Sequence, residues 1–303
     1  MMLVVAIVGP TASGKSSLAV EVALQCTGEI VNTDSMQAYV GMDIGTAKPP
    51  EAEWRGVPHH VFSEWPPDHE LSVAEFQAAA RSAIEAVAGR GATPIAVGGS
   101  GLYVSAVLDD LRFPGTDPAI RGALEAQLDL VGPEAMHARL SAVDPAAAAA
   151  ILPSNGRRIV RALEVIEITG EPFIATLPPP VGIYPTIRIG LEIPRDVLDA
   201  RIEARVAQMW ADGFVTEVEG LVERGLAAGR TAARALGYSQ VLDYIAGTLT
   251  ADEARQATVD ATRKFARRQQ RWFRRDERIA WIPYDSPDAA ERALALVEAG
   301  TST

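Results

Sequence analysis

The stretch LVVAIVGPTASGKS at residues 3–16 joins a short apolar run to a glycine-rich loop. The loop matches the phosphate-binding pattern G-x-x-x-x-G-K-[ST] and lies between a predicted strand and a predicted helix, the context that this pattern requires. Glycines let backbone N–H groups close around phosphate oxygens, Lys15 and the positive end of the helix add charge, and the Ser16 hydroxyl can ligate Mg²⁺. The residues of this predicted phosphate-binding loop are Gly9, Pro10, Thr11, Ala12, Ser13, Gly14, Lys15 and Ser16. Both nucleoside triphosphates and diphosphates satisfy the pattern, so the pattern does not identify which of them binds.

Strand and helix patterns alternate along the chain. β-Branched runs bounded by turn residues predict strands at Leu3–Val8, Glu29–Thr33, Pro94–Val97, Ile187–Leu191 and Ile279–Ile282. Apolar periodicity predicts helices at Lys15–Gln25, Val73–Ala88, Ala119–Leu128, Glu134–Leu140, Pro145–Leu152, Gly156–Thr169, Arg195–Ala211, Val215–Glu223, Ala233–Tyr244 and Ala251–Arg275. This alternation predicts an α/β fold, a P-loop NTPase-like parallel sheet flanked by helices.

A segment in the middle of the chain interrupts this alternation. It contains no predicted strand and is bounded by Phe-Pro-Gly at 113–115 and by Leu-Pro-Pro-Pro at 177–180. We interpret it as a smaller, all-helical insertion domain. The predicted division is the first part of the P-loop core at 1–113, the insertion at 114–186, and the second part of the core at 187–303, which carries a basic C-terminal helix.

Composition restricts the class of protein. The chain has 303 residues, 48% of them hydrophobic and 22% charged, which is typical of a soluble globular protein. Its apolar amino terminus lacks the features of a signal peptide, and no stretch approaches the roughly 18 apolar residues of a membrane span. We therefore expect a cytoplasmic protein with no membrane partner. The single cysteine, Cys26, has no partner for a disulfide.

The charge distribution is uneven. A net charge of −11 argues against nonspecific nucleic-acid binding over the whole surface. Residues 263–278, however, contain eight Lys or Arg against Asp276 and Glu277, a local balance of +6 with no acidic partner at helical spacing before Asp276. If this segment is helical, Arg267, Arg271 and Arg275 recur on one face and could follow a phosphate backbone. The alternative is a solvated helix face without a ligand.

Asp34 follows the second predicted strand. Ligands of open α/β sheets bind outside the carboxyl ends of the strands, so Asp34 is predicted to face the phosphate-binding loop. The alternative is a helix or turn cap, for which Asp followed by Ser is ordinary.

Several segments together resemble one protein family. Besides the phosphate-binding loop, they are Asp34–Gln37, Gly41–Pro49, Val97–Tyr103, Arg157–Glu164, Ala235–Tyr238, Arg267–Gln269 and Trp272–Arg275. In this order, over nearly the whole chain, they resemble the tRNA dimethylallyltransferase (isopentenyltransferase) family. The resemblance implies transfer of the dimethylallyl group from dimethylallyl diphosphate to the N6 amine of the adenosine 3′-adjacent to the tRNA anticodon.

The resemblance also assigns roles to residues. It implies that the loop holds the diphosphate of dimethylallyl diphosphate rather than ATP, with Mg²⁺ on Ser16, and that Asp34 is the general base. It places Thr11 and Arg205 among the catalytic contacts. With the basic run, the predicted contacts of the tRNA anticodon stem-loop are Asp34, Ser35, Met36, Gln37, Ser100, Arg121, Arg157, Arg158, Arg161, Gly237, Tyr238, Arg267, Arg271 and Arg275. We expect a monomer.

Other interpretations stay open. A small-molecule P-loop kinase would use the same loop for ATP, with Arg157, Arg158 and Arg161 as a lid. An adenylate isopentenyltransferase would use free nucleotide, although it would not require the insertion or the basic helix. An RNA-binding module with a vestigial loop would not need Lys15, Ser16 and Asp34. Trp272 and Phe273 could stack on an RNA base or anchor the terminal helix to the core.

Overall fold

The computed structural model of the chain describes residues 2–175, 178–229 and 231–301. Leu177, at the predicted end of the insertion, lies outside the described residues, as do the terminal residues Met1, Ser302 and Thr303 of the predicted core. The chain forms two compact units, Met1–Asp109 with Gly182–Thr303, and Asp110–Val181. Each boundary of the second unit lies a few residues before the corresponding limit of the predicted insertion at 114–186.

The first unit is built on a parallel sheet of six strands in the order β3-β2-β4-β1-β5-β6. The strands are β1 Val4–Val8, β2 Gly28–Asn32, β3 His59–His60, β4 Thr93–Gly98, β5 Thr186–Glu192 and β6 Ile279–Pro283. The predicted α/β class is confirmed, and the predicted strands match to within one or two residues. Sequence reasoning missed β3, because an edge strand of two residues next to a proline carries no period of its own.

Helices occupy most of the remaining chain. They are α1 Lys15–Gln25, α2 Glu51–Trp54, α3 Val73–Gly89, α4 Gly101–Leu108, α5 Pro118–Val143, α6 Pro145–Ala150, α7 Gly156–Thr169, α8 Arg195–Ala211, α9 Phe214–Glu223, α10 Tyr238–Ile245, α11 Ala251–Phe273 and α12 Ala289–Thr301. Sequence reasoning missed α2, α4 and α12. The helix α4 is short and apolar on nearly every side, so it has no helical stripe to detect.

Two of the differences between predicted and observed helix limits affect residues of the predicted RNA surface. The helix predicted at Ala233–Tyr244 begins only at Tyr238, because Gly237 adopts a φ of +90° that interrupts the helical path. The helix predicted to reach Arg275 ends at Phe273, with Arg274 as its C-terminal cap. Arg275 therefore does not continue the helical stripe of Arg267 and Arg271.

The sheet of the first unit is covered by helices on both faces. Along the central strand β1, Val4, Ala6 and Val8 pack on one side with α3, α4 and α9. Val5 and Ile7 pack on the other side with α1 and α12. A strand that is apolar at every position is expected where both faces are buried. The helices cover the two faces of the sheet, and the loops that carry polar groups lie at the carboxyl ends of the strands.

The second unit has a core of its own. Leu124, Met136 and Leu140 of α5 pack with Ile159 and Leu163 of α7. The helix α5 is interrupted at Gly132, where φ is +79° and ψ is 168°, so its halves correspond to the two helices predicted there. The predicted helical character of the insertion is confirmed.

Candidate functional site

The phosphate-binding loop connects β1 to α1. Gly14, with a φ of +96°, precedes Lys15, and α1 begins without a side-chain cap on its first N–H groups. Such groups at a helix start bind anions readily. Lys15 Nζ donates a hydrogen bond to the carbonyl oxygen of Pro10 at 3.3 Å. The loop thus presents backbone donors and one ammonium group to the same space.

Asp34 follows β2, and its carboxylate both caps a turn and lines a cavity. One carboxylate oxygen accepts a hydrogen bond from Met36 N at 3.1 Å, so Asp34 caps the 3₁₀ turn Ser35–Ala38. Its side chain also lines a cavity with Lys15. Asp34 is therefore a cap and also lies in the same cavity as the phosphate-binding loop.

Asn32 holds the backbone of Asp34 and was not singled out from the sequence. Its Oδ1 accepts from Asp34 N at 2.7 Å, and its Nδ2 donates to the carbonyl oxygens of Asp34 and Val61, both at 2.8 Å. Asn32 is fully buried. A buried amide in an apolar strand is a signal that sequence reasoning could have used.

The charges of Lys15, Asp34 and Arg205 influence one another. Burial lowers the pKa of Lys15 to about 8, against the opposing effect of the Asp34 carboxylate, and Arg205 lowers it further. Burial raises the pKa of Asp34, although Lys15 and backbone N–H groups work in the opposite direction. A carboxylate with a raised pKa is a stronger base than an exposed one.

Arg205 approaches the loop from α8. Its Nη1 donates to Thr11 Oγ1 at 3.4 Å, a long contact, and one turn earlier Arg201 Nη1 donates to the carbonyl oxygen of Ala12 at 3.4 Å. Burial lowers the pKa of the Arg205 guanidinium, with a further contribution from Arg201. The structure thus brings Thr11, Arg205 and Asp34, the residues predicted to be catalytic, to one cavity.

Gln269 supports the loop from α11. Its Oε1 accepts from Thr11 N at 2.9 Å, and its Nε2 donates to the carbonyl oxygen of Gly99 at 2.8 Å. The side chain is buried, and a Cβ on Gly99 would meet Nε2 at 2.4 Å. Sequence reasoning gave Gln269 no role, although an amide between the buried Ala266 and Phe273 was a detectable signal.

These groups surround a cavity of about 730 Å³, which is within the range of small-ligand sites. Its polar wall contains Thr11, Ala12, Gly14, Lys15, Ser16, Asp34, Gln37 and Arg205. Val20, Ile30, Val97 and Phe62 add apolar surface. The cavity therefore combines an anion-binding end, a carboxylate and room for a hydrocarbon.

Ser16 is the predicted Mg²⁺ ligand. Its side chain and that of Asp34 line the cavity. Residues 2–175, 178–229 and 231–301 contain no group of three or more His, Cys, Asp or Glu placed to hold a metal. This arrangement fits Mg²⁺, because that ion keeps several waters and binds through few protein oxygens together with substrate phosphates.

The other residues predicted to contact tRNA are more scattered. Met36 and Ser100 are half-buried, and Ser35 is buried. The prediction that Gly237 and Tyr238 contact RNA directly is wrong for this structure, because both are buried. The Tyr238 hydroxyl donates to Glu217 Oε1 at 2.6 Å.

Arg267 and Arg271 line a second groove at one end of α11. The groove has a volume of about 740 Å³, and Arg195, Arg274 and Tyr284 also line it. Glu192 and Asp285 contribute opposite charge. Arg275 is exposed beyond the end of α11 and does not line the groove.

Several arginines of the basic segment are paired with carboxylates, most of which lie outside that segment. Arg263 pairs with Glu203 at 2.8 Å and Arg274 with Glu192 at 3.5 Å. Arg278 pairs with Asp109 at 2.8 Å and with Asp276 at 2.7 Å. Most of these carboxylates come from distant parts of the chain, so spacing along the helix could not reveal them.

The aromatic residues of the same segment anchor it. Phe273 is buried in the core of the first unit, and Trp272 is half-buried against that core. A Cβ on Gly101 would meet the Trp272 ring at 2.2 Å. For Phe273, the alternative of stacking on an RNA base is therefore wrong.

In the second unit, the predicted arginines have different surroundings. Arg121 and Arg161 pair with the fully buried Glu164 at 2.6 and 2.8 Å. Burial acts to raise the pKa of Glu164, but the two guanidinium groups outweigh it and hold that pKa below its usual range. Arg157 and Arg158 are both exposed, and Arg158 donates to the carbonyl oxygen of Ala175. Two of the predicted RNA contacts are thus engaged in a buried ion cluster.

None of the helices described in the structure is long and apolar enough to cross a membrane.

Known families and proteins share these features. Residues 37–276 match the IPP transferase family model, and residues 2–64 match the isopentenyl transferase model. The tRNA dimethylallyltransferase of Thermobifida fusca is 57% identical over 302 residues, which covers 98% of this chain and 95% of that protein. The tRNA dimethylallyltransferase of Streptomyces coelicolor is 57% identical over 298 residues, which covers 97% and 96%.

Solved structures agree with these matches. The full-length tRNA isopentenylpyrophosphate transferase from Bacillus halodurans is 39% identical, with a TM-score of 0.73 over 99% of this chain and 98% of that chain. A eukaryotic dimethylallyltransferase acting on tRNA is 25% identical, with a TM-score of 0.83 over 100% of this chain and 80% of that chain. The similarity therefore extends over both units of the chain.

Proposed function

The chain belongs to the IPP transferase family, and from that premise we propose that it transfers the dimethylallyl group of dimethylallyl diphosphate to the N6 amine of the adenosine 3′-adjacent to the anticodon of a tRNA. The products are N6-isopentenyladenosine and diphosphate. The observation that carries this proposal is the convergence of the phosphate-binding loop, Asp34 and Arg205 on one cavity.

The leaving group needs the first set of contacts. The bond between the allylic carbon and the diphosphate oxygen breaks as negative charge grows on the diphosphate. That charge is stabilised by the N–H groups at the start of α1, the Lys15 ammonium and the Arg205 guanidinium. These groups are already in position before the reaction begins. The Thr11 hydroxyl, within reach of Arg205, orients the same end of the substrate.

The acceptor amine needs a base. The N6 lone pair is delocalised into the adenine ring, so its attack on the allylic carbon is slow unless the amine loses a proton as the C–N bond forms. Asp34 accepts that proton, and its raised pKa suits this role. The base must leave the stacked loop to enter the cavity.

Ser16 would hold Mg²⁺ together with oxygens of the bound diphosphate. When bound, the ion supplies further positive charge next to the leaving group. Lys15 binds the diphosphate, and its charge opposes the rise that burial causes in the pKa of Asp34.

We propose three surfaces for the RNA. Gln37 and Met36 lie close to Asp34 in sequence and contact the reacting nucleotide, together with Ser35 and Ser100. The groove of Arg267 and Arg271, with Arg275 beyond the helix end, takes phosphates of the stem-loop. In the insertion, Arg157 is exposed and contacts RNA, while Arg158, also exposed but bonded to the carbonyl oxygen of Ala175, supports that surface with Arg121 and Arg161.

A single assay tests the function against its rivals. Radiolabelled dimethylallyl diphosphate and Mg²⁺ are incubated with unmodified tRNA, with AMP, or with ATP and candidate small-molecule acceptors. We expect label in tRNA only. Label in AMP would favour an adenylate isopentenyltransferase, and hydrolysis or transfer of the ATP γ-phosphate without prenylation would favour a kinase. No transfer of any kind together with tRNA binding would favour an RNA-binding module.

A further inference from the structure

We infer that Glu217, on α9, is a positioning residue for prenyl transfer: it fixes the loop Asp43–Lys48, and through that loop Gln37, in the wall of the cavity. Glu217 does not line the cavity itself, whereas Gln37, Thr46, Ala47 and Lys48 do. This inference rests on the proposed function, because it assigns the cavity to the reacting substrates.

The Glu217 carboxylate collects donors from the loop. Its Oε2 accepts from Asp43 N at 3.0 Å and Ile44 N at 2.6 Å, and its Oε1 accepts from Gly45 N at 3.1 Å. Three successive N–H groups that converge in this way form an anion site, which here is filled by a side chain of the same protein. Hydrogen bonds to an ionised acceptor are about twice as strong as neutral ones.

Tyr238 supplies the fourth donor. Its hydroxyl donates to Glu217 Oε1 at 2.6 Å. Burial and the neighbouring Glu217 carboxylate raise the pKa of Tyr238, so the hydroxyl remains a donor across the physiological pH range. A Cβ on Gly45 would meet the Phe214 ring at 2.2 Å and the Tyr238 ring at 2.6 Å, so the loop also packs closely against this pair.

The far end of the loop reaches the cavity. Gln37 Nε2 donates to the carbonyl oxygens of Thr46 at 3.1 Å and Ala47 at 3.2 Å. These bonds fix the amide of Gln37, three residues after Asp34. Glu217 therefore connects to the reacting site through the loop backbone and Gln37, and a shift of the loop would move the wall beside the general base.

The chemistry requires a carboxylate at this position. A glutamine in its place has one oxygen for three N–H groups, and its own NH₂ group would face at least one donor. An aspartate keeps the charge but is shorter by one methylene, so it would restore part of the geometry. A residue that acted only in the fold would lower stability without affecting how Gln37 contributes to turnover.

A double-mutant cycle tests the inference. Glu217→Gln, Gln37→Ala and the double variant are compared for kcat and KM with saturating dimethylallyl diphosphate, at a temperature where melting curves show each variant folded. We expect Glu217→Gln to lower kcat/KM by about 10- to 100-fold, mainly through kcat, because the loop moves by a fraction of an ångström. In the Gln37→Ala background, the further loss should be less than about threefold, since coupled residues are not additive.

Matched variants complete the design. Glu219→Gln removes an exposed carboxylate two residues along α9 and should leave turnover unchanged. Glu217→Asp should recover part of the lost rate. If Glu217→Gln fails to fold, Tyr238→Phe replaces it in the same cycle, because it removes one donor and keeps the carboxylate with its three N–H partners.

Each outcome decides between the claims. Wild-type kcat/KM in Glu217→Gln, or full multiplication of the two losses in the double variant, overturns the positioning role. If Asp34→Asn and Gln37→Ala also turn over at the wild-type rate, the assignment of the cavity itself fails. A slow Asp34→Asn with a normal Glu217→Gln sinks only the inference about Glu217.

Discussion

The phosphate-binding cavity and the arginine-rich surfaces differ in how their charged groups are used. In the cavity, Lys15 and Asp34 are ionisable groups held together without a direct ion pair, and burial shifts the pKa of both. On the arginine-rich surfaces, guanidinium groups such as those of Arg161 and Arg263 are already paired with carboxylates of the same chain. Burial without a direct partner leaves Lys15 and Asp34 available for chemistry, whereas the paired guanidinium groups stabilise the fold.

The largest effect is expected at the base of the cavity. Asp34→Asn keeps the size of the side chain and its ability to accept from Met36 N, but removes the base. We expect turnover to fall by about 10² to 10⁴, with tRNA affinity within a few-fold of wild type. Single-turnover rates and filter binding measure the two quantities. Undiminished turnover in this variant would remove Asp34 from the mechanism.

The next effect is on the leaving group. Lys15→Ala removes the ammonium that faces the diphosphate, and we expect kcat to fall by about 10² because one preorganised donor is lost. Equilibrium binding of tRNA should not change, since Lys15 is expected to bind the diphosphate of the prenyl donor and not the RNA. If ATP protected the wild-type protein from inactivation better than dimethylallyl diphosphate does, the kinase interpretation would replace ours.

These two groups also predict a pH profile. Asp34 must be deprotonated, so kcat/KM rises with pH through a pKa that burial holds above the usual aspartate value. Lys15 must be protonated, so kcat/KM falls as pH rises through about 8. Above that pH we expect a decline of up to about tenfold per unit. Lys15→Arg is the control, because it should remove the alkaline limb whatever its residual rate.

Local sequence specified the sheet and the phosphate-binding loop because contiguous residues create both. The uninterrupted apolar run of β1 and the spacing of Gly9, Gly14 and Lys15 are sufficient for that. Glu217 and Gln269 were missed because their hydrogen-bond partners lie elsewhere in the sequence, and only the fold brings them together, as it does Asn32 and Val61. The same reason explains why the ion pair of Arg263 with Glu203 was not foreseen, whereas Glu164 lies only three residues after Arg161.

The basic groove allows a smaller effect to be tested. Arg267→Gln with Arg271→Gln removes two cations that have no carboxylate partner within 4.0 Å in the described part of the chain. If both contact phosphates, the slope of log affinity against log salt should become shallower by about two units. Turnover at saturating tRNA should persist.

Two further variants locate the effect of the groove. Adding Arg275→Gln tells whether the residue beyond the helix end contributes another unit of slope. The control is Arg255→Gln, near the other end of α11. Arg195 is not used as a control because it lines the groove. An unchanged slope in the folded double variant would leave the groove without an RNA role.

The smallest effect is expected in the insertion, where Arg157 is exposed and Arg161 is paired with Glu164. Arg157→Gln should reduce the salt slope by about one unit and leave stability unchanged, because its side chain is exposed. Arg161→Gln should instead lower the free energy of unfolding by about 1–3 kcal/mol, since the buried Glu164 loses one of its two guanidinium partners.

Salt-dependent tRNA binding and chemical denaturation are measured on Arg157→Gln and Arg161→Gln. Together they distinguish an arginine that binds phosphate from one that stabilises the fold. Arg161→Gln should keep the wild-type salt slope at temperatures where it is folded, because its charge is already matched by Glu164 and not by phosphate. Glu164→Gln provides the converse test: it frees Arg121 and Arg161 from their carboxylate, so any gain in tRNA affinity would come from guanidinium groups newly available to RNA. If Arg161→Gln lost slope while retaining full stability, the distinction between paired and available arginines would fail in this region.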